Sequence, residues 1–262
     1  SIGIISNGRR FAYADYARKL LDAGLNKLTV SVHGHEARVH DAQTRTRGSF
    51  EQTRAGLENL VALRRDRRFD LMTSTVVTSR TLPHLAEIHA FLAGFDVDCV
   101  VLNVLMARGV PEERYKKLMR PYHEIIAGVA GLLKGLPDER RRAIRVVDAP
   151  ACVTTSLPQE ARGGVESYDQ FERRGSTGFK GKEVPLTDTS KDEEGFSEIR
   201  ELITQTDVAE DNAYYLVQRE QKDGYARVKR PACARCRHEA SCEGVWEPYL
   251  ELFGWDEFEP VK

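Results

Sequence analysis

The chain has 262 residues and a formal net charge of −1, although 30% of its residues are charged. That balance excludes the one-sign field of a nucleic-acid binder or an acidic tail, and the length accommodates one α/β-barrel-sized domain, or a domain of about 150 residues with an appendage. Five cysteines is an odd number, there is no apolar leader, and no run approaches the roughly eighteen apolar residues of a membrane span. The reading is a reducing, cytoplasmic setting with thiols available for metal rather than paired in disulfides.

Ser1-Ile2-Gly3-Ile4-Ile5-Ser6-Asn7-Gly8 opens without methionine and reads as a buried strand entered part-way through a fold, so the chain is expected to be a fragment. Phe11, Tyr16, Leu20 and Leu21 then recur at helical spacing over 11–23, with Gly24 where a C-terminal cap belongs. Leu28 to Val32 reads as the second strand. Ser49 with Gln52 three residues on predicts a capping box for a helix through about Leu63, and Leu71 to Val77 is a β-branched third strand. Leu82, Leu85, Ile88 and Leu92 predict a helix closed by Gly94, followed by Cys99 to Leu105, apolar enough for a strand buried on both faces. Pro111 starts a helical stretch that Pro121 interrupts, and Ile144 to Val147 is the last strand. Five strands joined by helical crossovers predict an α/β fold, a parallel sheet forming an open or partly closed (βα) barrel over 1–150.

Parallel sheets bind ligands at the carboxyl ends of their strands. Here those ends carry Ser6-Asn7-Gly8, Ser31 with His33-Gly34-His35, Thr75 with Thr78-Ser79-Arg80, Asn103 with Arg108-Gly109, and Asp148. Their convergence predicts a ligand mouth. His33, His35 and His40 are close in sequence but lack the spacing of a metal set.

Residues 151–262 differ in texture. From 159 to 195 there is no apolar period and many glycines, which predicts a long loop; Ile199, Leu202 and Ile203 suggest a short helix and Tyr214 to Val217 a strand. No internal repeat and no Gly-rich phosphate loop occurs. The segment ends in Cys233-x-x-Cys236 and Cys242, followed by Gly244, Trp246, Tyr249, Phe253-Gly254-Trp255 and Glu259-Pro260. Three thiolates inside ten residues read as a buried site for a soft metal. Zinc, with His238 as a further ligand, and an iron–sulfur cluster both fit this donor set. Cys99 lies inside a strand, where a free cysteine acts as a small hydrophobe.

The ordered set Ser6-Asn7-Gly8, Ser31-Val32-His33-Gly34, His40-Asp41, Gly48-Ser49-Phe50 and Gly56-Leu57-Glu58-Asn59-Leu60 resembles the middle of a radical S-adenosylmethionine (radical SAM) enzyme barrel, over about residues 2–150. The end of the chain, from Cys233 to Pro260, is similar to the auxiliary iron–sulfur extension of some of these enzymes, of SPASM or twitch type. In such extensions one cysteine just after the barrel completes the cluster, and Cys152 stands at that position. The resemblance thus implies an auxiliary 4Fe–4S cluster on Cys152, Cys233, Cys236 and Cys242.

It also implies a function: cleavage of S-adenosylmethionine (SAM) to a 5′-deoxyadenosyl radical that abstracts hydrogen from a peptide or small-molecule substrate, with the auxiliary cluster relaying an electron or holding the substrate. An electron donor such as flavodoxin or ferredoxin would be a partner, with no nucleic acid and no membrane involved. Ser31 matches the family's SAM-contacting strand-end serine; Asn7 and Arg45 are further candidate contacts, Arg47 being as near the pattern as Arg45. The Cys-x-x-x-Cys-x-x-Cys loop of the SAM-cleaving cluster is absent from these residues, as is an acidic Gly-Gly-Glu strand end. The expectation is that both belong to a missing N-terminal part; the alternative is a non-catalytic zinc or structural-cluster module, or a degenerate relative.

Overall fold

The computed structural model describes residues 2–107, 110–158, 161, 227–240, 242 and 244–262. The expected loop over 159–195, the helix near 199–203, the strand at 214–217 and the Arg108-Gly109 strand end lie outside the described residues, apart from Ala161. Five strands, β1 (Ile2–Ser6), β2 (Leu25–Ser31), β3 (Asp70–Val77), β4 (Cys99–Val104) and β5 (Ile144–Val147), form one sheet in which every neighbouring pair is parallel and spatial order follows chain order. Each crossover is helical: α1 (Ala14–Asp22), then α2 (Ala37–Thr44) with α3 (Ser49–Leu63), then α4 (Leu85–Ala93), then α5 (Glu112–Leu118), α6 (Tyr122–Lys134) and α7 (Asp138–Arg142). Sequential order with right-handed crossovers places all helices on one face of the sheet. β1 and β5 are the edges of the sheet.

Side-chain alternation separates the two faces. Leu28 and Val30 of β2 and Val32 just after it, Leu71 and Val77 of β3, Val100, Leu102 and Val104 of β4, and Ile144 and Val146 of β5 are buried in the core. The register pairs the alternate residues Ser31 with Ser74, and Val76 with Asn103, on the opposite face. β4 is buried on both faces, as its apolar run predicts.

Two local differences from the sequence expectation have clear causes. The helix expected over 11–23 is split into a 3-10 turn (Arg9–Ala12) and α1, with Tyr13 extended between them. Asn59 of α3 donates from Nδ2 to the carbonyls of both Phe11 and Ala12, at 2.9 Å each, and so takes the acceptors a continuous helix would use. The capping box is not formed either, because Ser49 is already the first residue of α3 and Gly48 is its N-cap. Asp41 caps the helix instead, accepting from Gly48 N (2.6 Å), Phe50 N (2.8 Å) and Ser49 Oγ (2.8 Å), while Gln52 accepts from Arg9 Nε. Burial pushes the Asp41 pKa up, but the Phe50, Gly48 and Ser49 hydrogen bonds outweigh it and hold the carboxyl below its ordinary value. Thus His40-Asp41 and Gly48-Ser49-Phe50 belong to one structural device.

α3 also packs closely on the 3-10 turn. A Cβ at Gly56 would stand 2.4 Å from the carbonyl oxygen of Gly8 and 3.2 Å from Phe11 Cβ. Gly56→Ala is therefore expected to lower stability by about 3 kcal/mol through overpacking against backbone. Urea denaturation checks this as a lower midpoint with unchanged slope.

The end of the chain returns to the sheet. β6 (Arg227–Val228) and β7 (Val245–Trp246) form an antiparallel pair, and α8 (Glu247–Phe253) follows directly. Tyr249 of α8 is fully buried, its ring centroid 4.4 Å from that of Tyr122 at the start of α6. Its hydroxyl accepts from Tyr122 N at 2.8 Å and donates to Glu257, whose other oxygen accepts from His123 N at 2.6 Å. Burial and the bond to Glu257 push the Tyr249 pKa far above its ordinary value, so the phenol remains a donor. Val245, Trp246, Tyr249 and Phe258 share one core with the residues beneath the sheet.

Candidate metal centre

Cys152, Cys233, Cys236 and Cys242 all line one cavity of about 450 Å³, counting its open mouth. Cys152 follows β5 in a turn closed by Val153 N donating to Pro150 O at 3.1 Å. Cys233 and Cys236 lie on and just after a 3-10 turn (Pro231–Arg235), with Cys236 N donating to Cys233 O at 2.9 Å. Cys242 N donates to His238 O at 2.8 Å, and Gly244 N points at Cys242 Sγ at 3.4 Å. Gly244 must be glycine: its φ is 98°, and a Cβ there would stand 2.4 Å from Val228 O. The remaining wall comes from the end of the chain. Trp255, Phe258 and Pro260 line the cavity, held by Arg237 N donating to Val261 O at 2.9 Å and by the Arg230 guanidinium donating to Phe258 O.

All four thiols are half-buried and unpaired. Burial first, and then the neighbouring Cys242, Cys236 and Cys233, push the Cys152 pKa up to about 11. A cation placed among them would reverse that repulsion, and its binding would release protons. Among the described residues no three His, Cys, Asp or Glu side chains are placed to hold one metal ion. A single zinc needs every donor within about 2.0–2.3 Å of one point. A cubane takes one thiolate at each of its irons, so its donors stand further apart around a shared cavity. His238, the candidate zinc ligand, is not among the residues lining the cavity; its Nε2 accepts from Arg237 Nε at 3.2 Å.

A buried ion pair ties this hairpin to the sheet. Asp148, only 1% exposed at the end of β5, pairs with Arg227 of β6 and accepts from Trp246 Nε1 at 3.3 Å. The Arg227 guanidinium lies 4.2 Å above the Trp246 ring. Asp148 adopts a left-handed φ of 64°, a strained conformation that the surrounding contacts hold in place. Sequence reading placed Asp148 at the mouth but gave Arg227 no role, because a lone arginine in a charged stretch carries no local signal.

The strand ends show how the other predicted residues are placed. Ser31 is the register partner of Ser74, on the face of β2 away from Leu28 and Val30. Asn7 uses its Oδ1 to accept from Arg9 N at 3.1 Å, and its carbonyl accepts from Thr53 Oγ1 at 2.9 Å. Arg45 is the exposed left-handed C-cap of α2, and among the described residues no hydrogen bond holds its guanidinium; Arg47 is exposed as well. His33 stacks on His40 with centroids 5.9 Å apart, and His35 lies beside His84.

The His33 backbone N–H donates to His40 Nδ1 at 3.1 Å, and His33 Nδ1 accepts from Val76 N at 3.3 Å. Burial and then the neighbouring His40 lower the His33 pKa from 6.5 to about 4. The folded chain therefore binds fewer protons here than the unfolded chain between these values. The contribution to stability is complete above pH 6.5 and is lost as pH falls toward 4, amounting to about 3 kcal/mol. Replacing His33 with glutamine is expected to flatten that part of the stability–pH curve, measured as the wild-type minus variant difference between pH 7 and 4.

The chain matches no protein-family model, and no curated protein matches it. Among the described residues no helix is long and apolar enough to cross a membrane.

Proposed function

We propose that this chain is part of a radical SAM enzyme, its sheet the larger share of a (βα) barrel and its C-terminal hairpin and helix a holder for an auxiliary 4Fe–4S cluster. The observation that carries this reading is the meeting of Cys152, from the carboxyl end of the last strand, with Cys233, Cys236 and Cys242 in one cavity. A sequentially wound parallel sheet with its polar residues gathered at the strand ends adds support. When bound, the cluster would supply one-electron chemistry beside the mouth. Trp255, Phe258 and Pro260 would enclose it, and the Asp148–Arg227 pair ties the hairpin that carries three of the cysteines to the sheet.

In this reading Ser31, Asn7 and Arg45 contact SAM, and a peptide or small substrate enters the same mouth. The 262 residues contain no Cys-x-x-x-Cys-x-x-Cys, so the ligands of the SAM-cleaving cluster are not among them. The second reading is a non-catalytic zinc or structural-cluster module. Anaerobic reconstitution with iron and sulfide separates cluster from zinc. Broad visible charge-transfer absorbance supports the cluster, and a colourless protein that takes up one zinc supports the module. Hydrogen abstraction is tested separately, as SAM-dependent transfer of deuterium from labelled substrate to 5′-deoxyadenosine.

A further inference from the structure

The far end of the sheet carries a basic cleft that neither the cysteine cavity nor the strand-end mouth uses. It measures about 810 Å³, counting its open mouth, and lies where α3 leads into β3, lined by Lys27, Arg64, Arg67, Arg68, Phe69 and Asp70. Lys27 is near the start of β2, and its register partner Asp70 is the first residue of β3. The cleft therefore opens at the amino ends of these strands. The eight residues of β3 put it roughly 20 Å from the carboxyl ends.

Four of these side chains are cationic and one is acidic. Cations collect at a helix C-terminus because its free carbonyls favour them, and this effect together with ion pairing accounts for Arg64 and Arg67. Arg64 donates to both oxygens of Asp98, at 2.7 and 2.9 Å, and to the Asp96 carbonyl at 2.7 Å. Arg67 donates from Nη2 to Asp22, the last residue of α1. None of these acceptors lines the cleft, so the two guanidiniums are held from behind it. Arg67 Nε is left buried with no acceptor among the described residues. The Lys27 ammonium and the Arg68 guanidinium have no ion pair or hydrogen bond among the described residues either. A buried donor without an acceptor is costly. Unpaired cations converging on one recess, rather than spread over a convex surface, suit a compact anion better than a broad acidic partner.

We propose that this cleft binds an oxyanion of the phosphate type, with Arg67 Nε–H, the Arg68 guanidinium and the Lys27 ammonium as its donors. Arginine N–H groups match the spacing of phosphate oxygens, and lysine adds a point charge. Asp70 is the one lining group that opposes the anion. Free phosphate and a phosphate monoester present the same chemistry. The site needs no cluster and stands apart from the radical SAM reading, so either can fail without the other.

The test is NMR of protein carrying ¹⁵N-labelled arginine, titrated at constant ionic strength with inorganic phosphate and, separately, with glycerol 3-phosphate. The expected result is a saturable shift of the Arg67 and Arg68 Nε–H signals at low millimolar ligand. Equal response to both probes identifies the phosphoryl group alone as the ligand, and a tighter response to glycerol 3-phosphate identifies a monoester. Lys27→Met and Arg68→Met are each expected to weaken phosphate about tenfold. Asp70→Asn is expected to tighten it about threefold by removing a like charge, a gain that a merely structural role would not produce. Absence of a saturable shift at tens of millimolar phosphate, a shift that sodium chloride reproduces, or an affinity unchanged by Arg68→Met overturns the proposal. Arg68 is exposed, so its replacement leaves the fold intact, and the wild-type titration needs no variant.

Discussion

Asp148→Ala is expected to lower stability by about 3–5 kcal/mol, because it leaves Arg227 buried without its carboxylate. The Arg227 side chain is only 12% exposed and its guanidinium lies against Trp246, so it cannot recover full hydration where it stands. The substitution also removes the acceptor of Trp246 Nε1–H and puts alanine at a φ of 64°, where asparagine or aspartate is tolerated better. Asp148→Asn keeps the backbone preference and one acceptor, so its loss should be smaller than that of alanine. Removing both charges, as Asp148→Asn with Arg227→Met, should recover part of the single-mutant loss, the signature of a coupled pair. Chemical denaturation of wild type, Asp148→Asn, Arg227→Met and the double variant gives the coupling directly.

Cys152→Ala is expected to abolish a stable 4Fe–4S cluster while the sheet still folds. Cys152 is half-buried, packs at the edge of the core and makes no disulfide, so its removal costs little in packing. Its thiol is the one cysteine thiol that reaches the cavity from the sheet side, and under the proposed ligation one iron would lack a protein thiolate without it. Reconstituted iron and visible absorbance should fall to a quarter or less of wild type, since a cluster short of one ligand is open to oxidative loss. Cys99→Ala is the control. Cys99 stands in β4, and burial raises its pKa, so its replacement should leave iron content unchanged.

The strands and their order were legible because each apolar run is short, bounded by glycine or polar residues, and followed by a helical period. Pro111 and Pro121 each stand at a helix N-cap, which follows from fixed φ and the missing N–H. The start of β2 was placed late because Asn26 and Lys27 interrupt its apolar pattern at a sheet end, where side chains reach solvent. α2 was missed since its eight residues are mostly polar and only Val39 and His40 are buried. Ser49 and Gln52 carry the sequence signature of a capping box, yet Asp41, seven residues before the Gly48 N-cap, outcompetes them with a full charge. The cysteine set was readable from spacing, but the partners that fix it were not. Arg227, Tyr249 and Glu257 act across 79, 127 and 134 residues of chain, and a single sequence holds no signal for such pairings.

The central claim is that the four cysteines hold one iron–sulfur cluster. Iron, acid-labile sulfide and zinc determined per chain after anaerobic reconstitution, for wild type and Cys152→Ala side by side, test it most directly. The account predicts about four iron and about four sulfide per wild-type chain, negligible zinc, and loss of both iron and sulfide in the variant. About one zinc per chain with no sulfide, or iron and sulfide unchanged by Cys152→Ala, would contradict it.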